Sequence, residues 1–490
     1  MFISHPFVKK NKVEAREYQI KIAENCLKDN TLVILPTGLG KTNIALLVCA
    51  ERLNKEEGKI LFLAPTKPLI EQHKKTFEEL SEIYDLKVVS GYIKPEKRKN
   101  LYEKGRVIFA TPQTIVNDLN NGILNLENFV LLIIDEAHHS IGNYSYTNIA
   151  FKYIKDAKKP LILGLTASPG GKIKKIEDIK KNLFINQVEI RTELDKDVKK
   201  YIKEKELNRV EVNLPDDYEI TKKIIEKIIK QKVNYLFSIG AIPTKKISKK
   251  ILLDYHTLYS NKAKSLKKRE LYFAISKISE LIKLDYCLEL LETQGKNQVL
   301  EYIEKLRTER TKAARNILLD NRFNIFIERV KKLSEHSKLI KLKELVEKEK
   351  ENKIIIFTQY RSTVNEIKKK LEEIKNLKVG ILIGQKSGLN QRRQVSIIKD
   401  FENGFYNVLV CTSIGEEGLD IGGVEIAIFY EPIPSEIRQI QRRGRVGRLI
   451  KGKIYILITR NTRDEAYYWT AYHKEKKMKK YLKSKQACLF

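Results

Sequence analysis

A chain of 490 residues is too long for one hydrophobic core, so about two to four domains are expected. The 94 Lys and Arg residues outnumber the 62 Asp and Glu by 32; this favours a polyanionic partner, nucleic acid before an acidic membrane, with solvated lysine faces as the alternative. Five scattered cysteines without a Cys-x-x-Cys pair argue against zinc and disulfide frameworks, no apolar run reaches membrane-spanning length, and the first residues lack a secretory apolar core, so a cytoplasmic location is expected.

Residues 13–29 have helical spacing and carry Arg16, Tyr18 and Gln19. The apolar run 31–35 reads as a buried strand that feeds Leu35-Pro-Thr-Gly-Leu-Gly-Lys-Thr42, and 43–52 reads as the helix that follows. Gly38 and Gly40 let the backbone turn so that N–H groups point inward at phosphate oxygens, aided by the partial positive charge of the helix start. In such a phosphate loop Pro36, Thr37, Gly38, Leu39 and Gly40 surround the nucleotide, Lys41 reaches the β- and γ-phosphates, and the Thr42 hydroxyl holds magnesium. Leu35 stands where the first glycine usually does.

Further β-rich runs at 59–64, 86–89, 106–110, 129–135 and 161–166 alternate with helical stretches. Their apolar residues are continuous rather than alternating, as in a parallel sheet covered by helices on both faces. Four runs end in Pro65-Thr66-Lys67, Thr111-Pro112-Gln113, Asp135-Glu136-Ala137 and Ala167-Ser168-Pro169, and strand carboxyl ends are where such sheets place ligands. Residues 200–335 lose the β pattern and show helix spacing; within 220–269, fourteen Lys or Arg face two acids. This stretch is either a helical insert with a solvated basic rind or an arm along a nucleic-acid backbone. From Ser337, read as a helix cap, a second parallel sheet is expected from runs at 353–358, 378–383, 407–411, 424–430 and 452–458. The expected architecture is α/β: a nucleotide-binding domain (1–200), an all-helical basic insert (201–335), a second parallel-sheet domain (336–470) and a basic tail (471–490).

Asp135 and Glu136 close a strand in the sheet that bears the phosphate loop. There Asp135 can hold magnesium through water and Glu136 can take a proton from the attacking water. A zinc site at His138 and His139 lacks a third ligand. Gln441-Arg-Arg-Gly-Arg-Val-Gly-Arg448 projects arginines from a glycine-containing backbone, suited to the spread charge of phosphoryl transfer. The economical account is an active site split across two domains, loop and carboxylates from one and arginine fingers from the other.

These segments, with Thr412-Ser-Ile-Gly-Glu-Glu-Gly-Leu-Asp-Ile421, stand in the order of a superfamily-two helicase over about 16–460, which implies RecA-like domains. Pro36 to Thr42 and Ala64-Pro-Thr-Lys-Pro-Leu69 look most like the Fanconi anaemia group M branch, and Thr462-Arg-Asp-Glu-Ala-Tyr-Tyr-Trp469 resembles archaeal Hef, the helicase-associated endonuclease for fork-structured DNA. The resemblance implies an ATP- and magnesium-dependent DNA helicase or translocase acting 3′ to 5′ on forks. By it, Gln19 reads adenine with Arg16 nearby; His138, Thr166 and Ser168 couple hydrolysis to strand movement; Gly418 and Asp420 lie near ribose and γ-phosphate; Gln441 lies near the attacking water; and Arg445 and Arg448 are the fingers. Strand contacts come from Thr66, Lys67, Thr111, Gln113, Gln359, Arg361, Thr412 and Ser413. Val446 replaces the threonine or alanine often found there. The Glu-Arg-Lys signature of the Hef nuclease is missing, since Val330 follows Glu328-Arg329, so no cleavage is expected from this chain. The alternatives are a double-stranded-RNA-stimulated relative of RNA sensors and Dicer helicases, and a nucleotide-gated clamp that does not unwind.

Two smaller signals remain open. Gln486, Leu489 and Phe490 resemble a sliding-clamp-binding box, against the reading of an ordinary tail. Trp469 beside Tyr467, Tyr468 and Tyr472 could stack on bases or close the second domain.

Overall fold

The computed structural model describes residues 2–142, 145–170, 173–193, 195–201, 205–384, 391–412, 424–435, 438, 442 and 452–487. The first sheet contains β1 (Thr31–Ile34), β2 (Lys59–Leu63), β3 (Leu86–Val89), β4 (Val107–Ala110), β5 (Phe129–Ile134), β6 (Ile162–Thr166) and β7 (Gln187–Ile190). These strands are parallel, in the order β3-β4-β2-β5-β6-β1-β7. Both faces are covered. Val33 and Leu35 pack with Ile44 and Val48 of the Lys41–Lys55 helix, while Leu32 and Ile34 pack on the opposite face with Ile149 and Tyr153. That is why the central strands are apolar nearly throughout.

The second sheet contains β8 (Lys205–Val212), β9 (Ile354–Phe357), β10 (Val379–Leu382), β11 (Val408–Cys411), β12 (Ile426–Phe429) and β13 (Gly452–Thr459). It too is parallel, in the order β10-β11-β9-β12-β13-β8. Between the sheets in sequence stand the helices Asp216–Ser238, Lys249–Leu266, Arg269–Thr293, Lys296–Thr308, Lys312–Leu318 and Asn321–Lys331, with their own core around Ile225, Leu291, Ile303 and Phe326.

Three expectations are corrected. The stretch from 201 is not wholly helical, because β8 pairs with β13 from Lys205↔Gly452 to Val212↔Thr459. As an edge strand with one neighbour, β8 mixes charged and apolar residues and lacks the continuous apolar run of a central strand. The helical insert is therefore nested inside the second α/β domain. Ser337 is the first residue of the Ser337–Lys348 helix and not its cap; the cap is His336, whose Nδ1 accepts from the Lys338 N–H at 3.1 Å. Finally, residues beyond 470 are not simply a basic tail. They continue the Arg463–Ala487 helix, in which Ala471 and Met478 are buried and Met478 enters the first domain's core.

The insert is bolted to the second domain by buried polar contacts. Arg463 lies 2.6 Å from Asp285 and is also near Glu289 and Glu292, and Lys222 Nζ donates to the Asn461 carbonyl at 3.0 Å. Gln294 donates to Glu431 and accepts from Thr363. Within the second domain, beside this junction, Lys338 and Asp464 are both essentially sealed from solvent and pair at 2.8 Å.

Candidate nucleotide site and nucleic-acid face

Parallel pairing brings the carboxyl ends of β1, β2, β4, β5 and β6 to one edge of the first sheet. At the end of β1, a Leu39 N–H to Pro36 carbonyl bond of 3.4 Å closes the turn, with Thr37 and Gly38 inside it. Gly38 and Gly40 have φ of +84° and +78°, the left-handed region where a side chain is strained. Gly40 is constrained twice, since a Cβ there would lie 2.3 Å from Gln19 Nε2. Gln19 is buried; its Nε2 donates to the Leu39 carbonyl at 3.0 Å, and Tyr18 Oη donates to the same oxygen at 2.8 Å. Gln19 Oε1 is buried with no hydrogen-bond partner among the described residues, an acceptor beside the loop held ready for a donor. Arg16 pairs with Glu14 at 2.8 Å and lies 4.6 Å from the Tyr201 ring centroid. Lys41 Nζ reaches back to the Leu35 carbonyl at 3.2 Å, and Thr42 follows it in the first turn of the helix.

Asp135 follows β5 and is buried; its Oδ2 lies 2.8 Å from His73 Nε2. Burial works to raise the Asp135 pKa, but the His73 contact and the Lys41 charge hold it below the usual carboxylate value. His73 was not anticipated from sequence. It sits on the buried face of the Lys67–Leu80 helix with Leu69, Ile70 and Phe77, its ring tilted against Phe62 at 4.5 Å between centroids. The signal available was a histidine on the apolar stripe of the helix that starts at a strand tip. Glu136 adopts φ +50° and ψ +47°, an uncommon conformation for a non-glycine residue that aims its carboxylate at the His138 Nδ1, 3.2 Å away. The same His138 Nδ1 lies 3.1 Å from Thr166 Oγ1, and Thr166 donates to the Ser168 carbonyl at 3.2 Å. The Ser168 hydroxyl then meets Met478 Sδ at 3.2 Å. A chain of close contacts thus runs from Glu136 through His138, Thr166 and Ser168 to the Arg463–Ala487 helix.

On the same edge, Lys67 pairs with Glu71 at 3.4 Å and lies over the Tyr92 ring, Thr111 bonds Thr114 at 2.9 Å, and Gln113 is exposed. The Thr66 hydroxyl is buried without a hydrogen-bond partner among the described residues. In the second domain, the Gln359 N–H donates to Glu431 at 2.5 Å, Arg361 is exposed and Thr412 is buried. Ser413, Gly418, Asp420, Gln441, Arg445 and Arg448 lie outside the described residues, as do Leu489, Phe490 and the Gln486 side chain. Arg442 alone of its glycine-arginine segment is described. It is fully buried, 5.2 Å from the Phe357 centroid and 5.5 Å from that of Phe429, and its charge opposes the burial that raises the Glu431 pKa. Arg442 is thus packed against the second domain's aromatic core. Around the aromatic group, Tyr468 is buried in the second domain while Trp469 is half exposed, with Arg209 5.6 Å from its ring centroid.

A crystal structure of the Pyrococcus furiosus Hef helicase domain shares this arrangement, with a TM-score of 0.71 and 39% identity over 95% of this chain and all of that one. The chain belongs to the Hef family of superfamily-two helicases. Three family models tile this Hef-family chain: "Type III restriction enzyme, res subunit" on 12–171, "Putative ATP-dependent RNA helicase, helical bundle" on 217–337, and "Helicase conserved C-terminal domain" on 337–450. A Methanocaldococcus jannaschii protein named "Putative ATP-dependent RNA helicase" is 44% identical over 99% of this chain and 63% of its own length. The ATP-dependent DNA helicase fml1 of Schizosaccharomyces pombe is 32% identical over 91% of this chain and 57% of its own length. For the ATP-dependent DNA helicase mph1 of Neurospora crassa the figures are 30%, 92% and 41%. The Hef-family chain therefore spans less than two thirds of these relatives. No helix among the described residues is long and apolar enough to cross a membrane.

Proposed function

We propose that this chain is an ATP- and magnesium-dependent DNA motor that unwinds or translocates on forked and branched DNA, moving 3′ to 5′. The observation that carries the reading is the assembly of phosphate loop, Asp135, Glu136 and the His138–Thr166–Ser168 path on one sheet edge. The residues fit a bound nucleotide: the orphaned Gln19 Oε1 offers adenine an acceptor, and Gly38 leaves open space where a side chain would intrude. Bound magnesium-ATP supplies the phosphoryl group and its counter-charge. Gln19 would orient the base, Lys41 would steady the phosphates, and Thr42 with Asp135 would hold the metal. Glu136 accepts the proton of the attacking water, and a change in its charge is felt at His138 and passed through Thr166 to Ser168. Gln441, Arg445 and Arg448 close the site from the second domain, with Gly418 and Asp420 beside the ribose and γ-phosphate. Thr66, Lys67, Thr111, Gln113, Gln359, Arg361, Thr412 and Ser413 grip sugar and phosphate, so binding is blind to sequence.

Lys41→Ala should abolish ATP hydrolysis while sparing DNA binding; retained turnover would contradict the assignment. The relative named as an RNA helicase gives one competing substrate reading. ATPase stimulation by forked DNA against duplex RNA separates the two, and strand displacement with ATP but not with a non-hydrolysable analogue separates a motor from a static clamp. A clamp pull-down with and without 485–490 tests the terminal segment.

A further inference from the structure

Three helices of the insert meet at its outer end: Asp216–Ser238 and Lys249–Leu266 finish there, and Arg269–Thr293 begins. Tyr235, Ile239, Tyr259, Arg269 and Phe273 border a cleft of about 540 Å³ at this end. The aromatic groups stay in solvent: Tyr235 is 48% exposed, Phe237 41% and Phe273 39%. The rings are not loose, since Tyr235 meets Phe273 edge to face at 6.4 Å and Tyr259 Oη donates to the Ala241 carbonyl at 2.9 Å. Each outer ring already carries a cation, with Lys245 5.1 Å from the Phe237 centroid and Lys277, itself paired with the buried Glu280 at 2.9 Å, 5.7 Å from that of Phe273. Residues 241–269 contain nine Lys or Arg against the single acid Asp254, and Glu270 is the one carboxylate lining the cleft.

An exposed aromatic group of this size ordinarily marks a recognition surface. Ring faces flanked by cations suit a ligand that presents a π-face and a phosphate together. In a duplex those π-faces are hidden by stacking, whereas a single strand offers them freely. We propose that the cleft at the end of the insert is a stacking site for unpaired nucleobases, with Tyr235 and Phe273 against the bases and Lys245 and Arg269 against the adjoining phosphates. The proposal builds on the reading of the chain as a nucleic-acid motor and adds a base-directed contact to the backbone-directed ones. The site would hold an unpaired arm of a fork away from the sheet edge that carries the nucleotide.

The test is nucleotide-free equilibrium binding of the full chain to a blunt duplex, a single strand, and a fork with unpaired arms carrying 2-aminopurine. Tyr235→Ala/Phe273→Ala should weaken the single strand and the fork about tenfold, leave the blunt duplex within about twofold, and remove the change in 2-aminopurine fluorescence. The slope of log affinity against log salt should not change, because no phosphate contact is deleted. Phe273→Trp should keep fork binding, and an unchanged melting curve certifies folding of both variants. Lys245→Ala/Arg269→Ala should weaken the single strand and the fork and flatten the salt slope for both, and an unchanged slope would contradict the assigned phosphate contacts. Equal loss on all three probes with the double alanine variant, or no loss on any, overturns the proposal. Failure of the unsubstituted chain to bind any probe would instead bring down the motor reading.

Discussion

Replacing His73 gives a sharp test of how Asp135, the proposed metal carboxylate, is held. Asp135 is buried, and the His73 Nε2 contact of 2.8 Å is the side-chain hydrogen bond that lowers its pKa. A hydrogen bond to a charged group is worth about 1.5–3 kcal/mol, which is about 10- to 150-fold in a binding constant. His73→Leu fills much of the ring's space against Phe62 and Phe77 but cannot donate, whereas His73→Gln retains a donor. The expected outcome is a rise of at least about tenfold in the magnesium concentration that half-saturates ATP hydrolysis for His73→Leu, with partial recovery in His73→Gln. Nucleic-acid binding without nucleotide should be unaffected. A folded His73→Leu protein with wild-type magnesium dependence would refute the claim that His73 orients Asp135.

Two further predictions concern the junction of the insert with the second domain. His336 is buried with Nδ1 accepting from Lys338 and Nε2 donating to the Glu292 carbonyl, an arrangement that needs the neutral ring; burial lowers its pKa to about 3. An unfolded histidine titrates near 6.5, so the contribution is complete above that pH and falls by about 1.4 kcal/mol per pH unit below it, or about 2 kcal/mol by pH 5. His336→Asn should therefore show a shallower fall in urea stability between pH 7 and pH 5 than the wild type; parallel curves would contradict a buried neutral ring. Lys338→Met should cost about 3–5 kcal/mol in thermal or urea denaturation by stranding Asp464, and Lys338→Met/Asp464→Leu should recover most of it. Equal losses in the single and double variants would mean the two charges are not coupled.

The central strands and the phosphate loop were legible because a two-faced parallel strand leaves an unbroken apolar run, as at Leu32–Val33–Ile34 and Leu131–Ile134, and the loop follows directly. The edge strands β3 and β10 were still read, but β7 and β8, with charged and polar residues interleaved as in Gln187-Val-Glu-Ile190 and Lys205-Glu-Leu-Asn208, leave no such run and were missed. The first half of the candidate site was readable from strand-tip motifs, and Gln19, Lys41, Asp135, Glu136, His138 and Thr166 do converge. His73 and Met478 were not found because each acts across the fold on a partner distant in sequence. The spacing of Tyr468, Ala471, Glu475 and Met478 marks a buried helical stripe within a lysine-rich stretch, but composition alone drew attention to the lysines.

The nesting of the insert has a mechanical corollary. The chain lays down β8 before building the insert and resumes the same sheet after His336, so both roots of the insert are planted in one domain. The Arg269–Thr293 helix is anchored near its inner end through Asp285, Glu289 and Glu292 and carries the aromatic cleft at its outer one. At about 1.5 Å per residue this helix is a crank about 37 Å long. A turn of the second domain by about 10° would sweep the crank's end through about 6 Å, close to two nucleotide rises of about 3.4 Å. Small closures at the nucleotide would thus be geared up to strand-length travel at the far end of the arm.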